Sequence, residues 1–293
     1  MPRWSAIART TVVEMLSDPL ALLVLLAALV MAVMAPAFHY HQFGEATRMA
    51  RDAGLSALFT CGTVFAVFAT IRAFRREVES GTLEMALAHP VSRTSFFLAK
   101  TLGAFLAYLV FLLVVMATSL TIVTGAAIGG SIAGRSGDIA RLYGPCFAAG
   151  VAVIVLPLVA GAALNRFARF RFGLSSFASA LLVSCAAAAA FFRPTLFARL
   201  APAFVLVALV ALVPLSAAAA FAVRLRANAA AAAAGLVFAI SLPAAGNYFL
   251  SNALSNGGSI SWGYVALAAL AAVPAVAFFL VLGARFMSER DAA

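Results

Sequence analysis

Charge is what this chain has least of. Asp, Glu, Lys and Arg together make up 10% of it, against about a quarter of a soluble domain. Acids are scarcer than bases, 10 against 20, and Lys100 is the one lysine. Residues 227–284 carry no charge at all. The shortage excludes a water-facing globular surface. The surplus on the other side excludes it again: 65% of residues are hydrophobic and the mean hydropathy is +1.07. No single globular core hides so much apolar surface, so most of the chain is solvated by lipid.

Other absences narrow the chemistry. Cys61, Cys146 and Cys185 each fall within an apolar run and show no C-x-x-C spacing. They form no disulfide framework and read as small buried residues. No apolar run holds Asp, Glu, Lys or Arg in its central part. Ion-coupled transporters place ionisable groups at membrane depth because those groups carry the ion, so this lack argues against a secondary transporter. Neither a ring of charge nor a carbonyl filter is visible for a selective pore. The histidines are His39, His41 and His89, with no Ser–His–Asp order, metal cluster or carboxylate pair around them, which disfavours an integral membrane enzyme. Lys100-Thr101 echoes a phosphate-binding loop, but Thr94 and Ala99 stand where its glycines belong. The chain is therefore expected to bind no ATP and to hold no cofactor of its own.

What is present is a series of continuous apolar runs about twenty residues long. Inside a bilayer every backbone N–H and C=O needs an internal partner, which leaves helices or a closed barrel. Barrel strands alternate apolar and polar residues over about ten positions, and these runs do not. Eight helical spans are expected: 20–37, 54–71, 96–125, 143–164, 173–192, 203–223, 229–250 and 263–284. The seventh opens on six alanines and contains Pro243 and Asn247, so the count runs from six to eight. Before the first span, Trp4, Ile7, Ala8, Thr11, Val12 and Met15 recur at helical spacing between Arg3, Arg9 and Glu14. This predicts an amphipathic helix over residues 1–17, lying at the membrane surface. Ala35-Pro36-Ala37 loosely imitates a signal-peptide cleavage site, but the run and its leader are both too long, and the segment is kept as an anchor.

Orientation follows from counting bases. With the N-terminus in the cytoplasm, that side holds Arg3, Arg9, Arg72, Arg75, Arg76, Arg93, Lys100, Arg166, Arg169, Arg171, Arg224, Arg226, Arg285 and Arg290, fourteen in all. The far side holds Arg48, Arg51, Arg135, Arg141, Arg193 and Arg199, six in all. The bias supports cytoplasmic termini and an even number of spans. It also explains the net charge of +10 without nucleic acid.

Three smaller features have a sharp and a bland reading. His39 and His41, with Met31 and Met34, could bind copper; an interfacial loop with aromatic anchors is the plainer account. Asn165–Phe172 interleaves arginine with phenylalanine, a pattern that can serve single-stranded nucleic acid. Between two spans, anchoring at the lipid headgroups fits better, with contact to a cytoplasmic partner as the second reading. Thr118, Ser119, Thr121 and Thr124 could line a path, but small hydroxyls are routine at helix interfaces in lipid, so packing is preferred.

The stretch Arg76–Arg93, REVESGTLEMALAHPVSR, concentrates five charges in a chain that has few. Ser80-Gly81 marks a turn. Thr82 can cap a short helix from Leu83 to Ala88, and Glu84 in its first turn suits the helix dipole. Pro90 ends it, because the residue before a proline disfavours helix. Ser92 or Thr94 can then cap the third span. A defined helix of about two turns would sit between two spans, exposing Leu83, Glu84 and Leu87.

Gly81-Thr82-Leu83-Glu84, Pro90-Val91-Ser92-Arg93 and Lys100 resemble the signature of ABC transporter permeases of the ABC-2 type, within the group often linked to multicopper enzyme maturation. The family pattern is roughly E-x-G-T-L-E-x-L-L-x-x-P-V-S-R with a Gly-Lys further on. Ala86 stands here where the family favours Leu, and Ala99 where it favours Gly. About a third of the chain carries the resemblance, the amphipathic leader included. It implies that residues 72–95 form a cytoplasmic coupling segment, with Gly81, Thr82, Leu83, Glu84, Leu87, Pro90 and Arg93 docking on a separate ATPase subunit. That partner would hold ATP and magnesium.

The expectation is thus an all-α polytopic helix bundle of six to eight spans, a single transmembrane permease domain over residues 1–293. It carries an N-terminal interfacial helix and a coupling helix between spans 2 and 3. It is not itself an enzyme. Its expected partners are an ABC ATPase subunit, a second permease copy or paralogue, and membrane lipid, with no nucleic acid. Export across a bacterial inner membrane is the transport expected. The rival is a non-transport assembly or scaffold factor.

Overall fold

A computed structural model describes residues 3–34, 46–79, 92–130, 139–249 and 260–289. Among them the secondary structure is helical throughout, with no strand. The helices are α1 (Arg3–Leu16), α2 (Pro19–Met34), α3 (Ala46–Glu79), α4 (Arg93–Gly130), α5 (Ile139–Ala168), α6 (Phe172–Ala190), α7 (Pro194–Arg224), α8 (Ala227–Phe249) and α9 (Trp262–Glu289). Where the expected spans fall on described residues, each lies mainly on one of these helices.

By length and composition, α3, α4, α5, α6, α7 and α9 are each long and apolar enough to cross a membrane. Helices α1 and α2, broken at Ser17-Asp18, make a seventh if counted as one bent span. The apolar part described in α8, Ala227–Ile240, is shorter than a span. The protein is a multi-pass helical membrane protein.

Local chemistry accounts for several helix ends. Proline opens α2 at Pro19 and α7 at Pro194; the first helical position has no use for an N–H and suits its fixed φ. Ser92 caps α4 as expected, its Oγ accepting the Ser95 backbone N–H at 3.3 Å. Pro145 and Pro157 lie inside α5, and Pro274 inside α9. Interior prolines of this kind are tolerated in membrane helices, where neighbours satisfy the freed carbonyls. Next to the second of these prolines, the Ser179 hydroxyl of α6 reaches across to Pro157 O, at 3.4 Å.

The chain forms two compact units. The first comprises residues 1–18, 63–109 and 205–293. Its core joins Val67, Ile71 and Phe74 of α3 to Phe96 and Phe97 of α4, with Ala218 and Ala222 of α7, Ala230 and Ala234 of α8, and Met287 of α9. The Phe74 and Phe97 rings pack tilted, with centroids 5.6 Å apart. α1 reaches α4 at Gly103, where an added Cβ would lie 2.6 Å from Ala8 O. Only glycine allows that approach, so α1 is packed onto the unit.

The second unit comprises residues 19–62 and 110–204. Leu25, Ala28 and Leu29 of α2, Leu58 of α3, Phe111 and Val115 of α4, Val153 of α5 and Phe177 of α6 are buried in it. Helices α5 and α6 meet through small residues: a Cβ on Gly161 would fall on the Ser176 hydroxyl. Close approach by small residues is how helices associate in lipid, where apolar surface alone gives no drive.

The four hydroxyls of α4 follow the packing reading. Thr118, Ser119, Thr121 and Thr124 are buried, and each donates to the carbonyl four residues earlier at 2.8–3.0 Å. Their capacity is spent on their own helix.

Candidate partner-docking segment and the charges at its base

Of the residues expected to dock a partner, Gly81, Thr82, Leu83, Glu84, Leu87 and Pro90 lie outside the described residues, as do His39 and His41. Arg93 is described; it is the first residue of α4 and half-buried. What the structure does describe is the ground on either side of residues 80–91. Helix α3 runs on to Glu79, so Arg72, Arg76 and Glu77 are helical residues and not loop residues. α4 begins right after the segment, with Lys100 in its second turn.

These flanks carry a charge cluster that also includes α1 and the residue after it. Lys100 is fully buried. Its Nζ lies 2.6 Å from Glu77 Oε2 and faces the Phe74 and Phe96 rings at 5.3 and 5.9 Å from their centroids. A buried ammonium without a counter-charge is very costly. Here a carboxylate and two aromatic faces compensate it. Asp18 is also buried, at 4% exposure. Its Oδ2 lies 3.2 Å from Arg72 Nε and 3.6 Å from Arg76 Nη2. Arg72 and Arg76 stand four residues apart and so share a face of α3. Arg76 Nη1 is also 3.8 Å from Glu14 Oε1 of α1. Burial raises the Glu14 carboxyl above its ordinary range, opposed by the Lys100 charge.

The cluster thus ties α1, the last turns of α3 and the first turns of α4. The sequence singles out Lys100 but does not show that Glu77, Asp18 and Glu14 gather around it. One signal was available: a single lysine at the foot of an apolar helix demands a carboxylate, and few exist. Which carboxylate depends on packing.

A second arrangement of charge lies on the turn between α5 and α6. Arg166, Arg169 and Arg171 are exposed there, and none meets a carboxylate among the described residues. Phe167 is 84% exposed and Phe170 57%. Arg169 has φ of 54°, the left-handed region that normally ends a helix with glycine. Beyond it, Phe170 N–H donates to Leu164 O at 3.4 Å. A non-glycine residue there costs about 1–2 kcal/mol.

No group of three or more His, Cys, Asp or Glu able to hold a metal occurs among the described residues. Cys61 Sγ does lie 4.0 Å from Met31 Sδ.

No curated protein and no solved structure matches the chain. A family model described as ABC-2 family transporter protein matches residues 17–181, more than half of the chain. The matched region runs from Ser17 through α3, the signature segment, Lys100 and the arginine turn into α6. The chain belongs to the ABC-2 family and is a permease of an ABC transporter.

Proposed function

We propose that this permease couples ATP hydrolysis on a separate ATPase subunit to export, and that residues 72–95 are the coupling segment. One observation carries the reading. Ion pairs built on buried groups hold the flanks of residues 80–91: Lys100 of α4 meets Glu77 of α3 across the segment, and the buried Asp18 after α1 meets the half-exposed Arg72 and Arg76 of α3. Buried pairs of this kind add little net stability over apolar packing. They do hold the two ends of the segment, and α1, in one arrangement. A push delivered to the segment would reach three helices together. Gly81, Thr82, Leu83, Glu84, Leu87, Pro90 and Arg93 form the dock, and ATP with magnesium stays on the partner. A second copy of the permease completes the transporter, in a bacterial inner membrane with both termini cytoplasmic.

Leu87→Asp tests the dock. Truncating a buried anchor costs an interface about 1–3 kcal/mol, and an unpaired charge costs more. The variant should lose co-purification with the co-expressed ATPase while inserting normally into the membrane. Ser255→Asp, in a different loop, should keep it. Full association in both variants would overturn the coupling assignment. ATP binding by the isolated permease would overturn the division of labour between subunits.

A further inference from the structure

We propose that the turn Asn165–Phe172 binds the phosphate of an anionic phospholipid headgroup through Arg166, Arg169 and Arg171, with Phe167 and Phe170 entering the acyl region beside it. The turn joins α5 and α6, two helices that qualify as spans, so it lies at a bilayer boundary. Three guanidinium groups within six residues stand exposed there. Between Asp138 and Glu289 the sequence contains no Asp or Glu, and among the described residues no carboxylate pairs with them. Other arginines of this protein do find partners: Arg72 and Arg76 meet Asp18, and Arg224 meets Glu289 at 3.8 Å and the Phe286 ring at 5.1 Å.

The guanidinium fork matches the oxygens of a phosphate diester. Arg169 sits in a left-handed conformation that glycine or asparagine would adopt more cheaply. Backbone strain of this kind points to use of the side chain it carries. The phenylalanines choose among the possible anions. A free phosphate or a soluble polyanion leaves Phe167 and Phe170 in water, whereas a phospholipid takes the arginines at its head and the rings in its chains.

The test uses the full chain in detergent, offered equal amounts of phosphatidylglycerol and phosphatidylcholine, with retained lipid counted by mass spectrometry. The wild type should retain phosphatidylglycerol in preference, by roughly fivefold for each arginine engaged. Arg166→Gln/Arg169→Gln/Arg171→Gln should bring the ratio close to one with no fall in unfolding temperature, because all three side chains are exposed. Arg193→Gln/Arg199→Gln, on the exposed arginines just before and in the first turns of α7, should keep the wild-type ratio. Phe167→Ser should lower the total lipid retained without changing the ratio. The proposal fails if the triple variant keeps its preference, and fails in favour of a protein dock if that variant instead loses the ATPase subunit. It fails as a specific site if the Arg193/Arg199 control loses as much. Displacement of phosphatidylglycerol by an equal concentration of inorganic phosphate would overturn the lipid as the ligand.

Discussion

Two groups of arginine in this protein look alike in sequence and differ in the fold. Arg72 and Arg76 leave an apolar helix on its polar end, as do Arg166 and Arg169. In the first group the side chains close on Asp18 and Glu14, next to a Lys100–Glu77 pair. In the second they face outward with no carboxylate among the described residues. The difference teaches that a positive residue at a membrane boundary serves two distinct purposes. Where acids are within reach of a folded neighbour, it joins helices to each other. Where acids are absent, its charge is left for something outside the chain.

The comparison breaks first at Glu77. Glu77→Gln leaves the fully buried Lys100 ammonium without its counter-charge, and should destabilise the protein by about 3–5 kcal/mol, read as a lowered unfolding temperature in detergent. Glu77→Gln/Lys100→Met should return close to the wild type, because removing both charges also removes the desolvation cost. A single variant as stable as the wild type would mean that Lys100 is not held by this pair.

Asp18 sharpens the same point at smaller scale. Asp18→Asn removes the acceptor shared by Arg72 and Arg76, but both arginines are about half exposed and can turn to water. The expected loss is about 1–3 kcal/mol, with α1 more open to hydrogen exchange. Protection of α1 unchanged from the wild type would show that packing at Gly103 alone holds it.

The smallest effect has the opposite sign. Arg169→Gly relieves the left-handed backbone and should stabilise the protein by about 1 kcal/mol, while lowering the preference for anionic lipid. Arg166→Gln should move stability by no more than about 0.5 kcal/mol. An arginine turn that joined helices, like the first group, would lose stability in both variants.

Burial divides the helices in a related way. The most apolar window of α4 is 72% buried and that of α9 only 6%. Hydropathy reads the two as equivalent spans, since lipid and protein interior favour the same side chains. Exposed Leu267, Leu270 and Phe278 on α9 therefore need no protein partner, while the buried hydroxyls of α4 need, and have, carbonyls.

The sequence by itself determined the helices, their rough limits, the membrane as solvent and the polar segment between the second and third spans. These are local properties. Apolar run length, proline position and a serine cap act within a few residues, and Ser92 caps α4 as its place before the run implied. The sequence also singled out the arginine–phenylalanine turn, because its residues are contiguous. The tertiary structure alone decided which charges are paired. Asp18 and Arg72 stand fifty-four positions apart, and Glu77 and Lys100 are separated by a turn-rich segment. No periodicity links such residues. Their meeting depends on α1 reaching α4 at Gly103 and on α3 continuing as helix through Arg76, and both of these were settled by packing between helices.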